Sequence, residues 1–128
     1  MRVFAVVVLA LGAAVTFGFG VAYLVASRPM ARMVGVEISS PSARADYRAI
    51  YGGAQVALGV FFALAAWRPA WREPGLAALA LFAAGFGVVR LASLAVDRAR
   101  RDPQWIVGAL EVIAGLVAAA ALLTYAAS

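Results

Sequence analysis

Four long apolar runs separated by three short polar stretches organise this chain. Val3 to Ala26 is unbroken behind Arg2. A helix of about 20 residues rising 1.5 Å each crosses a ~30 Å hydrocarbon core. A secretory signal core would be only about 7 to 15 apolar residues long, so a retained first transmembrane helix is predicted over 3–26. Ser27, Arg28 and Pro29 end it. Met30 to Ser39 carries Arg32 and Glu37 on a weakly amphipathic pattern. It reads as a loop in preference to a helix lying on the membrane surface. Ser40 followed by Pro41 is an N-cap with proline at the first helical position. The second helix therefore starts ahead of its apolar part, and its span covers 47–67. Pro69 and Pro74 mark Arg68 to Gly75 as a tight connection, with Trp67 and Trp71 as boundary anchors. A third span follows over 75–96. Asp102 and Pro103 then repeat the cap-plus-proline signal, and a fourth span runs over 104–127.

This pattern predicts an all-α fold, an integral membrane four-helix bundle forming one transmembrane domain over 1–128. Composition agrees. The 128 residues are 66% hydrophobic and only 13% charged, against about 45 to 50% apolar in soluble domains. A net charge of +5 would suggest nucleic acid in a soluble protein. Here every basic residue is arginine and most flank apolar spans, so anionic lipid is the expected partner and nucleic acid is not. With no Cys and no His, disulfides, thiol chemistry, haem ligation by His and nearly all zinc sites are excluded. No metal and no cofactor is expected.

Charge inside the apolar runs changes the picture most. Arg90 in the third span and Glu111 in the fourth each carry an insertion cost of about 2.5 to 3.5 kcal/mol, so such residues turn inward and find partners. Arg90 lies about 9 Å before the end of its helix and Glu111 about 10 Å after the start of the next. The short hinge from Asp97 to Pro103 makes the two helices antiparallel neighbours, so an ion pair at one depth is predicted. Phe86, Arg90, Ser93 and Asp97 share a face. In the second helix Arg48, Gly52, Gln55 and Gly59 recur at spacings of four, three and four, with Tyr47 and Tyr51 nearby.

From these residues a cytoplasm-facing amphipathic cavity is predicted, with Arg48, Tyr51, Gln55, Arg90 and Ser93 as ligand-binding groups beside Asp97 and Glu111. Three roles stay open. The cavity binds a membrane lipid or another hydrophobic small molecule; or Glu111 and Asp97 serve as acid and base of an isomerase-type enzyme. In the third reading the chain is a structural subunit. Gly52, Gly53, Gly59, Gly108 and Gly115 then supply small-residue packing faces, within the chain, in a homo-oligomer or against a partner span. A bare pin holding two helices in register is the plain reading of Arg90 and Glu111. Arg48 reads equally well as an interfacial residue reaching headgroups. Arg28, Arg32, Arg44, Arg48, Arg98, Arg100 and Arg101 outnumber Arg2, Arg68 and Arg72 on the other side, which places both termini outside.

Gly18, Phe19, Gly20, Val21 and Leu24 match Gly85, Phe86, Gly87, Val88 and Leu91 in order and spacing, and Gly52, Gln55 and Gly59 match Gly108, Glu111 and Gly115. Two tandem helix-pair repeats would give this pattern, and so would chance in an Ala- and Gly-rich chain. The run Asp46-Tyr47-Arg48-Ala49-Ile50-Tyr51-Gly52-Gly53, then Gly59, Arg90, Ser93, Asp97 and Glu111, resembles a bacterial four-helix membrane protein family known only as a domain of unknown function. That resemblance covers about Pro41 to the C-terminus and implies a four-span protein of the bacterial inner (plasma) membrane. At fold level the chain is also similar to DoxX-like and emopamil-binding-type bundles. The histidine and tryptophan equipment of the sterol isomerases is absent.

Overall fold

The computed structural model describes residues 1–99 and 102–127. Arg100 and Arg101, two of the arginines that set the expected orientation, lie outside the described residues. Among the described residues every regular element is helical: α1 (Arg2–Val25), α2 (Ser27–Met33), α3 (Pro41–Trp67), α4 (Pro69–Val96) and α5 (Gln104–Ala126). α1, α3, α4 and α5 are each long and apolar enough to cross a membrane.

The caps follow local chemistry. Ser40 Oγ accepts from the Ala43 N–H at 3.1 Å, and Pro41 occupies the first turn of α3, where its missing N–H costs nothing. Asp102 Oδ1 accepts from the Gln104 N–H at 2.8 Å at the entry to α5. α4 ends in a Schellman motif: the Arg98 N–H donates to the Ala95 carbonyl and the Ala99 N–H to the Leu94 carbonyl. The residue that must turn left-handed there is Arg98, at φ 55°, where glycine carries no Cβ penalty. Arg98→Gly is therefore expected to stabilise the chain by about 1 kcal/mol, read as a higher thermal midpoint in detergent. A lowered midpoint would mean that the Arg98 side chain holds the turn.

Three expectations about the elements are corrected. Arg68 to Gly75 is not a loop: α4 starts at Pro69 and contains Pro74. Pro69 fits the first turn, and Pro74 removes only one N–H at an exposed position near the helix end, where water can meet the freed carbonyl. Met30 to Ser39 is partly helical, since α2 runs to Met33 before the chain turns at Gly35 with φ 73°. Finally, α3 is not uniformly α-helical. Arg48–Gly53 is a π-helical segment, Arg-Ala-Ile-Tyr-Gly-Gly, which inserts an extra residue into the helix ahead of Ala54.

The chain divides into two compact units, Ala10–Leu64 and a second made of Met1–Leu9 with Ala65–Ser128. In the Ala10–Leu64 unit α1 lies against α3 through glycines. A Cβ on Gly20 would stand 2.6 Å from Val56 N, one on Gly52 2.6 Å from Leu24 Cδ2, and one on Gly59 2.7 Å from Phe17 N. In the other unit α4 lies against α5 in the same manner, at Gly87, Gly108 and Gly115. Gly75 closes on Ala65 and Leu9 there. Among the described residues the largest fully buried side chains are Phe62, Leu9 and Leu76, whereas Val3, Leu81 and Leu123 are more than 70% exposed. Small residues inside and large apolar residues outside suit a chain solvated by lipid, where close backbone packing replaces the hydrophobic effect between helices.

Candidate functional site

The polar centre of the α4–α5 unit is built from one side chain of α4 and two of α5. Arg90 donates from Nε to Glu111 Oε2 at 2.8 Å and from Nη2 to Glu111 Oε1 at 2.9 Å, a bidentate ion pair. Its Nη1 donates to Gln104 Oε1 at 2.7 Å. Gln104, Gly108 and Glu111 follow one another along α5 at helical spacing, and the middle residue makes the room. A Cβ on Gly108 would lie 3.4 Å from Arg90 Cδ and 2.8 Å from Leu91 Cδ2. Glycine there lets the arginine stem pass across α5 so that its guanidinium fits between an amide and a carboxylate.

The ion pair expected from helix depth is thus formed, but it is not sealed in protein. The Arg90 and Glu111 side chains remain 30% and 26% exposed, which corrects the expectation of a buried pair. The geometry explains this: α4 and α5 are only two helices, and a charged group placed between two cylinders keeps an open flank. Gln104 was not expected as a site residue. The signal was present, because a glutamine at the start of a span, seven residues before Glu111, lies on the same face.

The remaining expected site residues fall elsewhere. Ser93 is exposed and its Oγ donates to the Val89 carbonyl at 2.8 Å, one turn back on its own helix. Asp97 stands beyond the last residue of α4, exposed, with its N–H donated to the Ser93 carbonyl. It is not brought to Glu111. Below the triad an open recess of about 360 Å³ is lined by Leu94, Ala95, Arg98 and Trp105. The Trp105 indole N–H donates to the Ala99 carbonyl at 2.8 Å and fixes one of its walls.

Arg48, Tyr51 and Gln55 belong to the Ala10–Leu64 unit. Gly52 and Gly59 lie against α1, whereas Arg48 is exposed and Gln55 half-buried. The π-helical segment begins at Arg48, so the α-helical spacing that grouped it with Gly52 does not hold across that turn. Gly53 also leaves the packing face: a Cβ there would meet only the Arg48 carbonyl of its own helix, at 3.9 Å. Tyr47 is instead the buried member of the segment. Its ring lies 4.6 Å from Tyr51 and 5.7 Å from Tyr23, and Tyr23 lies 5.7 Å from Tyr51. Among the described residues no group of His, Cys, Asp and Glu could hold a metal ion.

The model of one family, a domain of unknown function (DUF4345), matches residues 4–122. The chain belongs to the DUF4345 family. The match takes in α1 as well as the part from Pro41 onward, and so includes both glycine-packed helix pairs and the whole Arg90, Gln104 and Glu111 cluster of this DUF4345 chain. No curated protein and no solved structure matches it.

Proposed function

We propose that this chain is a four-span protein of the bacterial plasma membrane, both termini outside, that binds an amphipathic or lipid-like small molecule at the Arg90, Gln104 and Glu111 cluster. The observation that carries this reading is the surplus of polar groups with an open flank. A pin needs one pair, whereas here an amide joins a bidentate pair that stays about three-tenths exposed. A ligand headgroup can reach that flank, and its apolar part has the lipid-facing surfaces of α4 and α5 beside it.

We further read the chain as two tandem helix pairs. What supports this is that the two glycine contacts agree atom for atom. On Gly20 a Cβ would meet Val56 N, Val56 Cγ2 and the Gly52 carbonyl; on Gly87 it would meet Val112 N, Val112 Cγ2 and the Gly108 carbonyl. Gly52 meets Cδ2 and Cγ of Leu24, and Gly108 the same atoms of Leu91. Gly59 meets the Phe17 backbone, and Gly115 that of Ala84. Phe17, Gly20 and Leu24 become Ala84, Gly87 and Leu91 by one constant step, and Gly52, Val56 and Gly59 become Gly108, Val112 and Gly115 by another. Chance identity in an Ala- and Gly-rich sequence does not require that matched residues also touch matched partners.

The test is ligand retention. Chain purified in mild detergent should carry an extractable amphiphile, detected by mass spectrometry of the organic extract. The double variant Arg90→Leu/Glu111→Leu removes both charges together and should keep the helices paired, yet lose that amphiphile at least tenfold. Equal ligand content in the folded double variant would overturn the binding reading and leave the pin.

A further inference from the structure

The tandem-pair reading assigns every residue of the α4–α5 cluster a counterpart in α1 and α3, and this inference rests on it. The step that takes Gly20 to Gly87 takes Tyr23 to Arg90, and the step that takes Gly52 to Gly108 takes Gln55 to Glu111. Ahead of Gly52 the π-helical segment inserts one extra residue into α3. The register shifts by one there, so Tyr47, and not the exposed Arg48, holds the place of Gln104. Where the α4–α5 pair has arginine, glutamine and glutamate, the α1–α3 pair has two tyrosines and a glutamine.

The exchange removes both charges of the ion pair from these three places. In the α4–α5 pair the Glu111 carboxylate takes two N–H groups of Arg90. Its counterpart Gln55 is neutral. Yet the Tyr47 hydroxyl is buried with no hydrogen-bond partner, in a residue only 6% exposed. The Nε of Arg44, one turn earlier on the same face of α3, is also buried without a partner. An arginine Nε can only donate, and a phenol can donate as well. Buried donors of this kind are normally satisfied, so each one left over calls for an acceptor from outside the chain. The Tyr23, Tyr47 and Tyr51 rings at 4.6 to 5.7 Å supply an apolar wall with polar rims.

We infer that the α1–α3 pair carries a second binding position, selective for an anionic group, at which a phosphate or carboxylate of the ligand takes the place that the Glu111 carboxylate occupies in the α4–α5 pair. Arg44 and Tyr47 donate to it, Gln55 lies where the internal acid would be, and the tyrosine rings flank it. Net charge separates the two positions. The α4–α5 cluster is self-neutralised, whereas the α1–α3 position has no acid at the place of Glu111 and a half-buried Arg44 whose Nε is buried without a partner. An anionic lipid headgroup and free phosphate share the required chemistry.

The test uses the full chain in mixed micelles containing phosphatidylglycerol or phosphatidylcholine, with bound lipids counted by native mass spectrometry. Wild type should retain phosphatidylglycerol in preference to phosphatidylcholine. Tyr47→Phe keeps the ring and removes the hydroxyl, and should weaken that retention about tenfold. Gln55→Glu restores an internal acid and should abolish it. Arg90→Leu/Glu111→Leu should lower the total lipid bound yet keep the preference for phosphatidylglycerol over phosphatidylcholine, whereas Tyr47→Phe should lose the preference, so failure of the α4–α5 site and failure of this one are read from different quantities. Millimolar inorganic phosphate displacing the lipid would assign the position to the phosphate group alone; retention against it would assign the intact lipid. If Tyr47→Phe, which preserves the ring packing, retains phosphatidylglycerol as wild type does, the inference is overturned.

Discussion

Gly115→Leu is expected to prevent α5 from seating on α4. Even a single Cβ at this position would stand 2.7 Å from the Ala84 nitrogen, 2.8 Å from its Cβ and 3.0 Å from its Cα. Two of those atoms are backbone, so no side-chain rotation relieves the contact and one helix must move. Overpacking that forces backbone shifts costs about 1 to 3 kcal/mol, the range expected for Gly115→Ala, and leucine should exceed it. Gly59→Leu should do the same to the α1–α3 pair, where the obstacle is the backbone of Phe17. The control is Gly85→Ala, because a Cβ there meets nothing within 4 Å. It should gain about 0.5 to 1 kcal/mol from helix propensity alone. Thermal unfolding in detergent, with size-exclusion profiles for the leucine variants, separates the two cases. Similar losses at Gly85 and Gly115 would mean that close approach of the backbones is not what holds the pair.

The same contacts show what was legible in the sequence. Long apolar runs mark α1, α3, α4 and α5 because in lipid a helix must satisfy its own backbone and offer an apolar surface over its whole length. Ser40 with Pro41 marks the start of α3 for an equally local reason. The elements that escaped are those whose signal is not local. Pro74 reads as a breaker unless it is known that α4 began one turn earlier at Pro69. The seven residues of α2 leave too little periodicity to detect, although Ser27 and Ala31 are buried. A π-helical turn has no residue signature beyond the weak helix preference of a Gly-Gly pair, and by adding one residue it moved Arg48 outward and Tyr47 inward.

Within the cluster, Arg90 and Glu111 were legible because charge is expensive in hydrocarbon and depth along a helix is simple arithmetic. Gln104 carries no such mark, because an uncharged amide near a helix start costs little. Ser93 and Asp97 were grouped with Arg90 by helical spacing alone. Spacing cannot reveal that a serine spends its hydroxyl on the carbonyl four residues back, or that α4 ends at Val96.

The second large effect concerns the ion pair. Glu111→Leu leaves the Arg90 guanidinium aimed at an apolar side chain, with two of its N–H groups stripped of their acceptors. An unpartnered charge in the bilayer costs about 2.5 to 3.5 kcal/mol on insertion scales. The open flank admits water or headgroups and lowers this, so a loss of about 2 kcal/mol is expected, still more than a solvent-exposed pair contributes. Glu111→Gln keeps an acceptor oxygen without the charge and should lose about half as much. Arg90→Leu/Glu111→Leu should return to within about 1 kcal/mol of wild type, since neither charge remains to be satisfied. Equilibrium unfolding of wild type, Arg90→Leu, Glu111→Leu and the double variant in lipid-containing micelles gives the coupling directly. A large coupling with near wild-type stability of the double variant means that the pair adds little net stability. Its residues would then stand where they do for what they bind, because a helix pair held by Gly87, Gly108 and Gly115 does not need charge to stay closed. Strictly additive losses would instead make Arg90 and Glu111 independent of each other, and a ligand site built on their pairing would lose its basis.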